Sequence, residues 1–291
     1  PPAPGVQGLQ ALLPEGATLF KAARHLKGLH SHQRLGFHLW DGFPLKQNTP
    51  SAFIAPETLR ITLLCALARE AAERHHLPTL ILTTTEDGFA IESRLLAPLL
   101  KGLTYPGMSP KLGGAFGPDD DDSPQDSHAP DIGDRVALAP GPHRDRTPLM
   151  PYIKGAIAEA GALVILIDRL SATGLTDELI APERMIDELL ASLAPALSAG
   201  VVYPLIVEGE QQLSAFKAAE AAGDFKVLEL APGPPGDLIE AKAHGEDDGR
   251  RVHLEVEASE GWMWSTWQSD PLPPLRNLHS LVIDEHRREQ G

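Results

Sequence analysis

The sequence predicts an α/β fold, a three-layer, Rossmann-like arrangement in which a mainly parallel sheet carries helices on both faces and is followed by a C-terminal strand extension. Three short apolar runs carry this prediction: LVILID (Leu163 to Asp168), VVYPLIVEG (Val201 to Gly209) and FKVLEL (Phe225 to Leu230). Helix-like segments separate the three runs, and this alternation is typical of crossover units on a parallel sheet. We therefore expect the block from Arg146 to Leu230 to form the centre of the fold.

The same alternation begins further upstream. PETLRITLLCALAREAAERHH predicts a helix with proline near its first turn and an apolar stripe of Leu59, Leu63 and Leu67 that faces the sheet. TLILTTT is a β-branched run of the length of a buried strand, and AIESRLLAPLLKGL predicts the next helix. DRVALAP is a candidate short strand that leads into the central block.

Composition divides the chain into three parts. Residues 1–55 form an N-terminal segment rich in histidine, and residues 56–231 form the α/β core. Within the core, residues 104–131 are an acidic insertion rich in proline and glycine, a composition that buries too little apolar area to fold by itself. Residues 232–291 hold strand-like and tryptophan-rich segments that we expect to pack on the core.

Charge and cysteine content restrict the class of protein. The formal net charge is −15, from 40 acidic and 25 basic residues, which argues against a nucleic-acid partner because a broad phosphate-binding surface needs an excess of positive charge. No apolar run approaches the roughly 20 residues that cross a bilayer, and no signal peptide is visible. Cys65 is the single cysteine and lies among Leu and Ala, so we expect core packing, no disulfide and a cytoplasmic location.

The N-terminal histidines suggest one candidate site. His30 and His32 have the spacing that places two imidazoles on one side of an extended strand, and Asp41 follows closely. Imidazole and carboxylate groups are zinc ligands, so this pattern suggests a metal-dependent hydrolase. A histidine-rich loop that is simply solvated is the alternative.

The central block carries a second candidate site. Asp168 ends LVILID, and open α/β sheets bind ligands at the carboxyl ends of their strands. The order GDRVAL, RTPL, a helix and LVILID resembles the second half of a von Willebrand factor A-type domain over residues 132–230. The resemblance implies that Thr147 and Asp168 help to hold a magnesium ion. The first metal motif of that family is absent from TTTEDGFAIES, where Asp87 is the nearest substitute, so the resemblance implies a degenerate site.

Three further signals concern surfaces and acidic residues. Trp262, Trp264 and Trp267 form an aromatic group that either closes the core or contacts a protein partner. IVEGE followed by a helix resembles the first motif of Toprim domains, which would make Glu208 a catalytic acid, but FKVLELAPG lacks the Asp-x-Asp that those domains need downstream. Glu240-x-Lys242 has the spacing of metal-dependent nucleases, and exposed charge is the simpler interpretation.

These patterns favour a non-catalytic function. The sequence has no paired nucleophile and base, no phosphate loop and no dinucleotide fingerprint. The expected function is a partner-binding component of a multi-protein assembly, more probable than an enzyme, with no cofactor beyond a divalent cation, Mg²⁺ or Zn²⁺. The alternatives are the hydrolase with the His-x-His site and an inactive nuclease-like or Toprim-like domain.

Overall fold

The computed structural model describes residue 26 and residues 36–40, 42–101, 135–140, 149–170, 182–221, 225–233, 238–244, 250–257 and 262–269. The strands in this part of the chain are β1 (Gly36–Leu39), β2 (Phe43–Lys46), β3 (Ser51–Ala55), β4 (Thr79–Thr83), β5 (Val136–Pro140), β6 (Ala162–Asp168), β7 (Val201–Gly209), β8 (Lys226–Pro232), β9 (Ile239–Ala243), β10 (Arg251–Glu257) and β11 (Trp262–Ser269). The helices are α1 (Glu57–Arg69), α2 (Thr85–Lys101), α3 (Leu149–Ala160), α4 (Pro182–Leu197) and α5 (Leu213–Ala221).

Nine of these strands form one sheet in the order β11-β10-β9-β8-β3-β7-β6-β4-β5. The pairs from β8 to β5 are all parallel. The pairs from β8 to β11 are all antiparallel. The sheet is therefore mainly parallel, with an antiparallel C-terminal extension at one edge, and the predicted fold class is confirmed.

Chain direction explains why helices cover both faces. The connections through α1 and α2 run towards the β5 edge, and those through α3, α4 and α5 run back towards β8. Because crossovers between parallel strands are right-handed, opposite directions place helices on opposite faces. The helix contacts agree with this assignment, since α1 contacts α2 while α4 contacts both α3 and α5.

The central strands are buried along their whole length, which follows from this three-layer arrangement. Every residue of β4 and of β6 is buried. A parallel strand with helices on both faces has no solvent side, so its sequence is a continuous apolar run rather than an alternating pattern. This is why TLILT and LVILID are recognisable as strands without period-two alternation.

Helix α1 is buried nearly all round, which differs from the expected single stripe. Its residues from Thr62 to Arg69 are all buried. The helix contacts α2, the sheet and β11, because the antiparallel extension brings β11 against it. A helix enclosed in this way needs small or apolar residues on every side, as TLLCALA provides. Cys65 is fully buried there, and burial raises the pKa of its thiol to about 12.

Arg69 supports an irregular point in α2. Pro98 lies inside that helix and has no N–H, so it cannot donate the usual helical hydrogen bond to the carbonyl of Arg94. The Arg69 guanidinium donates to this carbonyl at 3.2 Å and also to the carbonyl of Leu95. Arg69 is 1% exposed, so a charged side chain from α1 replaces a missing backbone donor in the interior.

The segment before residue 56 contributes more to the sheet than its composition suggests. SAFIA is β3, which lies between β7 and β8 in the middle of the sheet. The short hairpin of β1 and β2 precedes it, and Trp40 in the turn packs its ring 6.3 Å from that of Phe53 in β3.

Among the residues that the structure describes, no helix is both long and apolar enough to cross a membrane.

Candidate functional site

The candidate site lies at the carboxyl edge of the four central strands. Asp168 is the last residue of β6, Thr83 is the last residue of β4, and Glu208 is near the end of β7. Helix α1 begins almost directly after β3, which brings Arg60 to the same edge. β6 and β4 are neighbours whose following helices lie on opposite faces, and so are β3 and β7. Such reversals open the crevice in which α/β sheets bind ligands.

Arg60 is the centre of this site. Its guanidinium contacts three carboxylates, with Nε donating to Glu57 at 2.9 Å, Nη2 lying 3.1 Å from Asp87, and Nη1 forming a short bond with Asp168. Arg60 is 3% exposed and Asp168 is fully buried. Burial alone would lower the pKa of Arg60, but its bonds to Asp168 and Glu57 raise it above its usual range. The guanidinium is therefore a permanent buried cation.

Asp168 has both carboxylate oxygens engaged. One oxygen accepts from Arg60, and the other accepts from the hydroxyl of Thr83 at 2.7 Å. The alignment of β4 with β6, in which Leu82 pairs with Ile167, brings the two strand ends side by side. A buried carboxylate needs such partners, because an unpaired charge in the interior is strongly unfavourable.

Asp87 holds the start of α2 and joins it to the site. Its carboxylate accepts from the hydroxyl of Thr84 at 2.8 Å, and its own N–H donates back to that hydroxyl at 3.2 Å, an N-terminal capping arrangement. The same carboxylate accepts from Arg169 at 2.7 Å. Burial alone would raise the pKa of Asp87, but the Thr84 hydroxyl and the guanidinia of Arg60 and Arg169 hold it below its ordinary value.

Arg169 adopts a left-handed backbone conformation, with φ of 64°. This region is unfavourable for a residue with a side chain, and contacts on both sides maintain it. The N–H of Arg169 donates to the carbonyl of Val207 at 2.9 Å, and the N–H of Leu170 donates to Glu208. The chain thus turns sharply at the end of β6 and directs the Arg169 side chain, which is 33% exposed, to Asp87.

Glu208 is a buried carboxyl group next to this turn. It is 5% exposed, and burial raises its pKa to about 7, although the backbone N–H groups of Leu170 and Gly209 oppose that shift. The nearby charge of Asp168 acts in the same direction as burial. Glu208 therefore exchanges a proton near neutral pH.

The residues predicted from sequence are only partly brought together. Asp168 and Asp87 meet at the Arg60 guanidinium. Thr147, His30, His32 and Asp41 lie outside the described residues, so the His-x-His site and the threonine of the magnesium site stay predictions. Among the residues that the structure describes, no group of three or more His, Cys, Asp or Glu side chains is placed to hold a metal ion.

The remaining predicted residues belong to the antiparallel extension of the sheet. Trp262, Trp264 and Trp267 belong to β11, and their side chains are outside the described part of the structure, so partner binding by them stays a prediction. Glu240 lies on β9 in the antiparallel extension and contacts Arg251 at 3.3 Å, which is the exposed-charge interpretation of the nuclease-like spacing.

Sequence reasoning missed Arg60 and Thr83. A charged residue inside an apolar helix is the only signal that Arg60 gives in the sequence. Once SAFIA is recognised as a strand, Arg60 can be placed at the carboxyl edge of the sheet, because the first turn of a helix that follows a parallel strand lies at that edge.

No protein-family description and no curated protein matches this chain. The solved structures that are similar to it include the following two. A KaiC-like protein from the hyperthermophilic archaeon Pyrococcus horikoshii is 14% identical with a TM-score of 0.47, over 83% of this chain and 97% of that one. An ATPase domain is 10% identical with a TM-score of 0.51, over 76% of this chain and 85% of that domain.

The second likeness corrects the predicted family. The resemblance to a von Willebrand factor A-type domain is wrong, because a solved structure whose match covers 76% of this chain is an ATPase domain. An apolar strand that ends in aspartate is common to many parallel α/β sheets, so LVILID could not distinguish a von Willebrand factor A-type domain from an ATPase domain. The acidic net charge also does not exclude nucleic acid as a partner of this fold, so that expectation stays untested.

The likeness to an ATPase domain also corrects the predicted function. A non-catalytic, partner-binding scaffold was the expectation, and the likeness to an ATPase domain overturns it, together with the preference against an enzyme. The hydrolase and the nuclease-like or Toprim-like alternatives find no support in this likeness either. At this level of identity the comparison establishes the fold, and the chain has the fold of an ATPase domain.

Proposed function

We propose that this chain binds nucleoside triphosphates at the carboxyl edge of β3, β4, β6 and β7 and hydrolyses them. One observation carries the proposal: Asp168 is buried at the end of β6, bonded to the first turn of the helix that follows β3. In P-loop ATPases the phosphates lie at a strand-to-helix turn and an aspartate holds the magnesium ion beside it. The ATPase fold and the position of Asp168 support the same location in this chain.

The phosphate contacts must differ from those of a P-loop. That loop has the pattern G-x-x-x-x-G-K-[ST], whereas β3 and α1 are separated here by Pro56 alone, with no glycine. The chain offers arginine instead, since Arg169 reaches this edge with a partly exposed side chain and a guanidinium matches phosphate geometry with paired hydrogen bonds. The N-terminus of α1 adds backbone N–H groups, which favour anions.

Glu208 is the candidate proton acceptor for hydrolysis. Its pKa of about 7 suits a group that takes a proton from water near neutral pH. It is close enough to Asp168 for the charge of that residue to act on it. Fixed positive charge from arginine stabilises negative charge that develops during phosphoryl transfer.

A magnesium ion does not fit the site as it is described here. Carboxylate and hydroxyl oxygens such as those of Asp168 and Thr83 are the ligands that Mg²⁺ takes. Both oxygens of Asp168 are engaged, however, and a cationic side chain already lies against them. We therefore assign no step of the reaction to a metal ion.

Nucleotide binding and phosphate release test the proposal. Titration with ATP by calorimetry, with and without Mg²⁺, is expected to give saturable binding, and released inorganic phosphate is expected to exceed the background. D168N and R169A are expected to lower binding or turnover by about tenfold or more, as loss of a charged contact does. R251A is the matched control, because Arg251 on β10 pairs with Glu240 on β9, and neither residue belongs to the carboxyl edge of β3, β4, β6 and β7.

The refuting result is simple. The proposal is refuted if the folded wild-type protein neither binds ATP at millimolar concentration nor releases phosphate. It is also refuted if R251A and D168N lose ATP binding or turnover equally, since the effect would then not belong to the site.

A further inference from the structure

We infer that the Arg60 side chain is a built-in lock on the site, a guanidinium that occupies the place of a divalent cation between Asp168 and Asp87. A cation and Arg60 then exclude each other, and a neutral side chain at position 60 would leave a site for Mg²⁺ or Mn²⁺. The metal part of this inference stands alone, and the nucleotide part rests on the proposed function.

The contacts of Arg60 are those of a counter-ion. Its nitrogen atoms face the carboxylates of Glu57, Asp87 and Asp168, which come from three different elements or element ends. The side chain is almost wholly buried, and the carboxylate of Asp168 is fully so. The fully buried Asp168 requires a positive partner, and Arg60 supplies it while also contacting Asp87, which is 16% exposed.

The oxygens around the guanidinium are suited to a hard cation. Without Arg60, one oxygen of Asp168 and the carboxylate of Asp87 would face the space that its guanidinium occupies, while the other oxygen of Asp168 accepts from the hydroxyl of Thr83. Mg²⁺ and Mn²⁺ prefer such oxygen ligands and complete their coordination with water. Glu57 is 62% exposed at the mouth, so the approach from solvent is acidic.

The lock has a consequence for nucleotide binding. While Arg60 is paired with three carboxylates, its N–H groups are not available to phosphate. Phosphate contacts are therefore assigned to Arg169 and to the N-terminus of α1, and no cation is needed at Asp168 while Arg60 is paired there.

The metal alone is the first probe. Electron paramagnetic resonance is used to measure Mn²⁺ binding. R60M is expected to bind Mn²⁺, and the wild-type protein is expected not to bind it. A saturating concentration of Mn²⁺ is expected to raise the Tm of R60M by about 5 °C and to leave the wild-type Tm unchanged. The double variant R60M/D168N is expected to lose Mn²⁺ binding, and R251M, changed in an exposed ion pair, is the matched control.

R60M is expected to be less stable than the wild-type protein, so refolding is the second measurement. If R60M folds only with Mn²⁺ present, the lock is supported. If Mn²⁺ neither binds folded R60M nor rescues its refolding, or if wild-type protein binds Mn²⁺ as tightly as R60M does, the lock is refuted.

The nucleotide arm separates the two proposals. ATP binding to the wild-type protein is expected without added Mg²⁺, because Arg60 already neutralises Asp168. Mn²⁺ binding to R60M without ATP binding to either protein would keep the lock and remove the proposed function. ATP binding to the wild-type protein without Mn²⁺ binding to R60M would do the reverse.

Discussion

Glu208 should make the stability of the protein fall as the pH rises through neutrality. The native carboxyl group is buried and titrates at about 7, whereas its ordinary value is 4.5. The folded protein therefore keeps this proton over a pH range in which the unfolded chain has lost it. Below about pH 4.5 both states are protonated and Glu208 causes no loss. Above that pH the loss grows, and it levels off once the native group has also ionised.

The size of the effect follows from the two pKa values. Each pKa unit corresponds to about 1.4 kcal/mol, so the shift from 4.5 to about 7 gives a total loss of roughly 3 kcal/mol. Between pH 5 and pH 8 the part that develops is about 2 to 3 kcal/mol. Glu208→Gln keeps an oxygen that accepts from the Leu170 N–H and removes the titration.

Urea unfolding of both proteins at intervals from pH 5 to pH 8 measures the difference. The free energy of unfolding of the wild-type protein is expected to fall relative to that of E208Q by the amount above. Other titrating groups are common to the two proteins, so they cancel. A difference that stays constant within about 0.5 kcal/mol would refute the reasoning, because the Glu208 carboxyl would then titrate alike in both states.

Three further predictions concern the buried charges and the thiol. Arg60→Met is expected to lower the free energy of unfolding, measured in urea, by about 3 to 5 kcal/mol, because it removes the cationic partner of the Asp168 carboxylate. Adding D168N to this variant is expected to recover part of that loss. If the losses of the two single variants simply add up in the double variant, Arg60 and Asp168 do not interact as described. Arg69→Met is expected to cost about 2 kcal/mol in the same assay, since the carbonyl that Pro98 leaves without a helical donor loses its partner, and an unchanged midpoint would argue against that role. Cys65, buried with a thiol pKa of about 12, is expected to react with a thiol reagent at pH 8 only as fast as the protein unfolds, so rapid labelling of native protein would contradict the packing of α1.

The central strands could be predicted from sequence because their environment is uniform. LVILID is buried on both faces, so its apolar character and its length are sufficient to identify it. The same run predicts a carboxylate at a strand end, and Asp168 lies there. The ion-pair partner of Asp168 could not be predicted from the sequence. Arg60 lies 108 positions away, and it contacts Asp168 only because of the order of the strands in the sheet.

SAFIA escaped prediction, and α1 was predicted as a helix but with one apolar stripe instead of burial nearly all round; the physical reasons differ. SAFIA is only five residues long and follows a stretch of turn residues, so its central place in the sheet depends on β7 and β8, which come much later in the chain. α1 lacks a strong one-sided pattern because it is enclosed, and amphipathic periodicity indicates only helices with a solvent face. The likeness to an ATPase domain could not be anticipated from the sequence, since no phosphate loop lies between β3 and α1.

The contact of β11 with α1 bears on the order of folding. These two elements are separated by about 200 positions in sequence, so their contact closes one of the longest loops in the molecule. During synthesis α1 would emerge long before the strand that covers it, with its apolar sides unprotected. A ribosome-bound chain that ends before β11 should therefore expose α1 to chaperones and proteases, and the emergence of β11 should be the step that shields it.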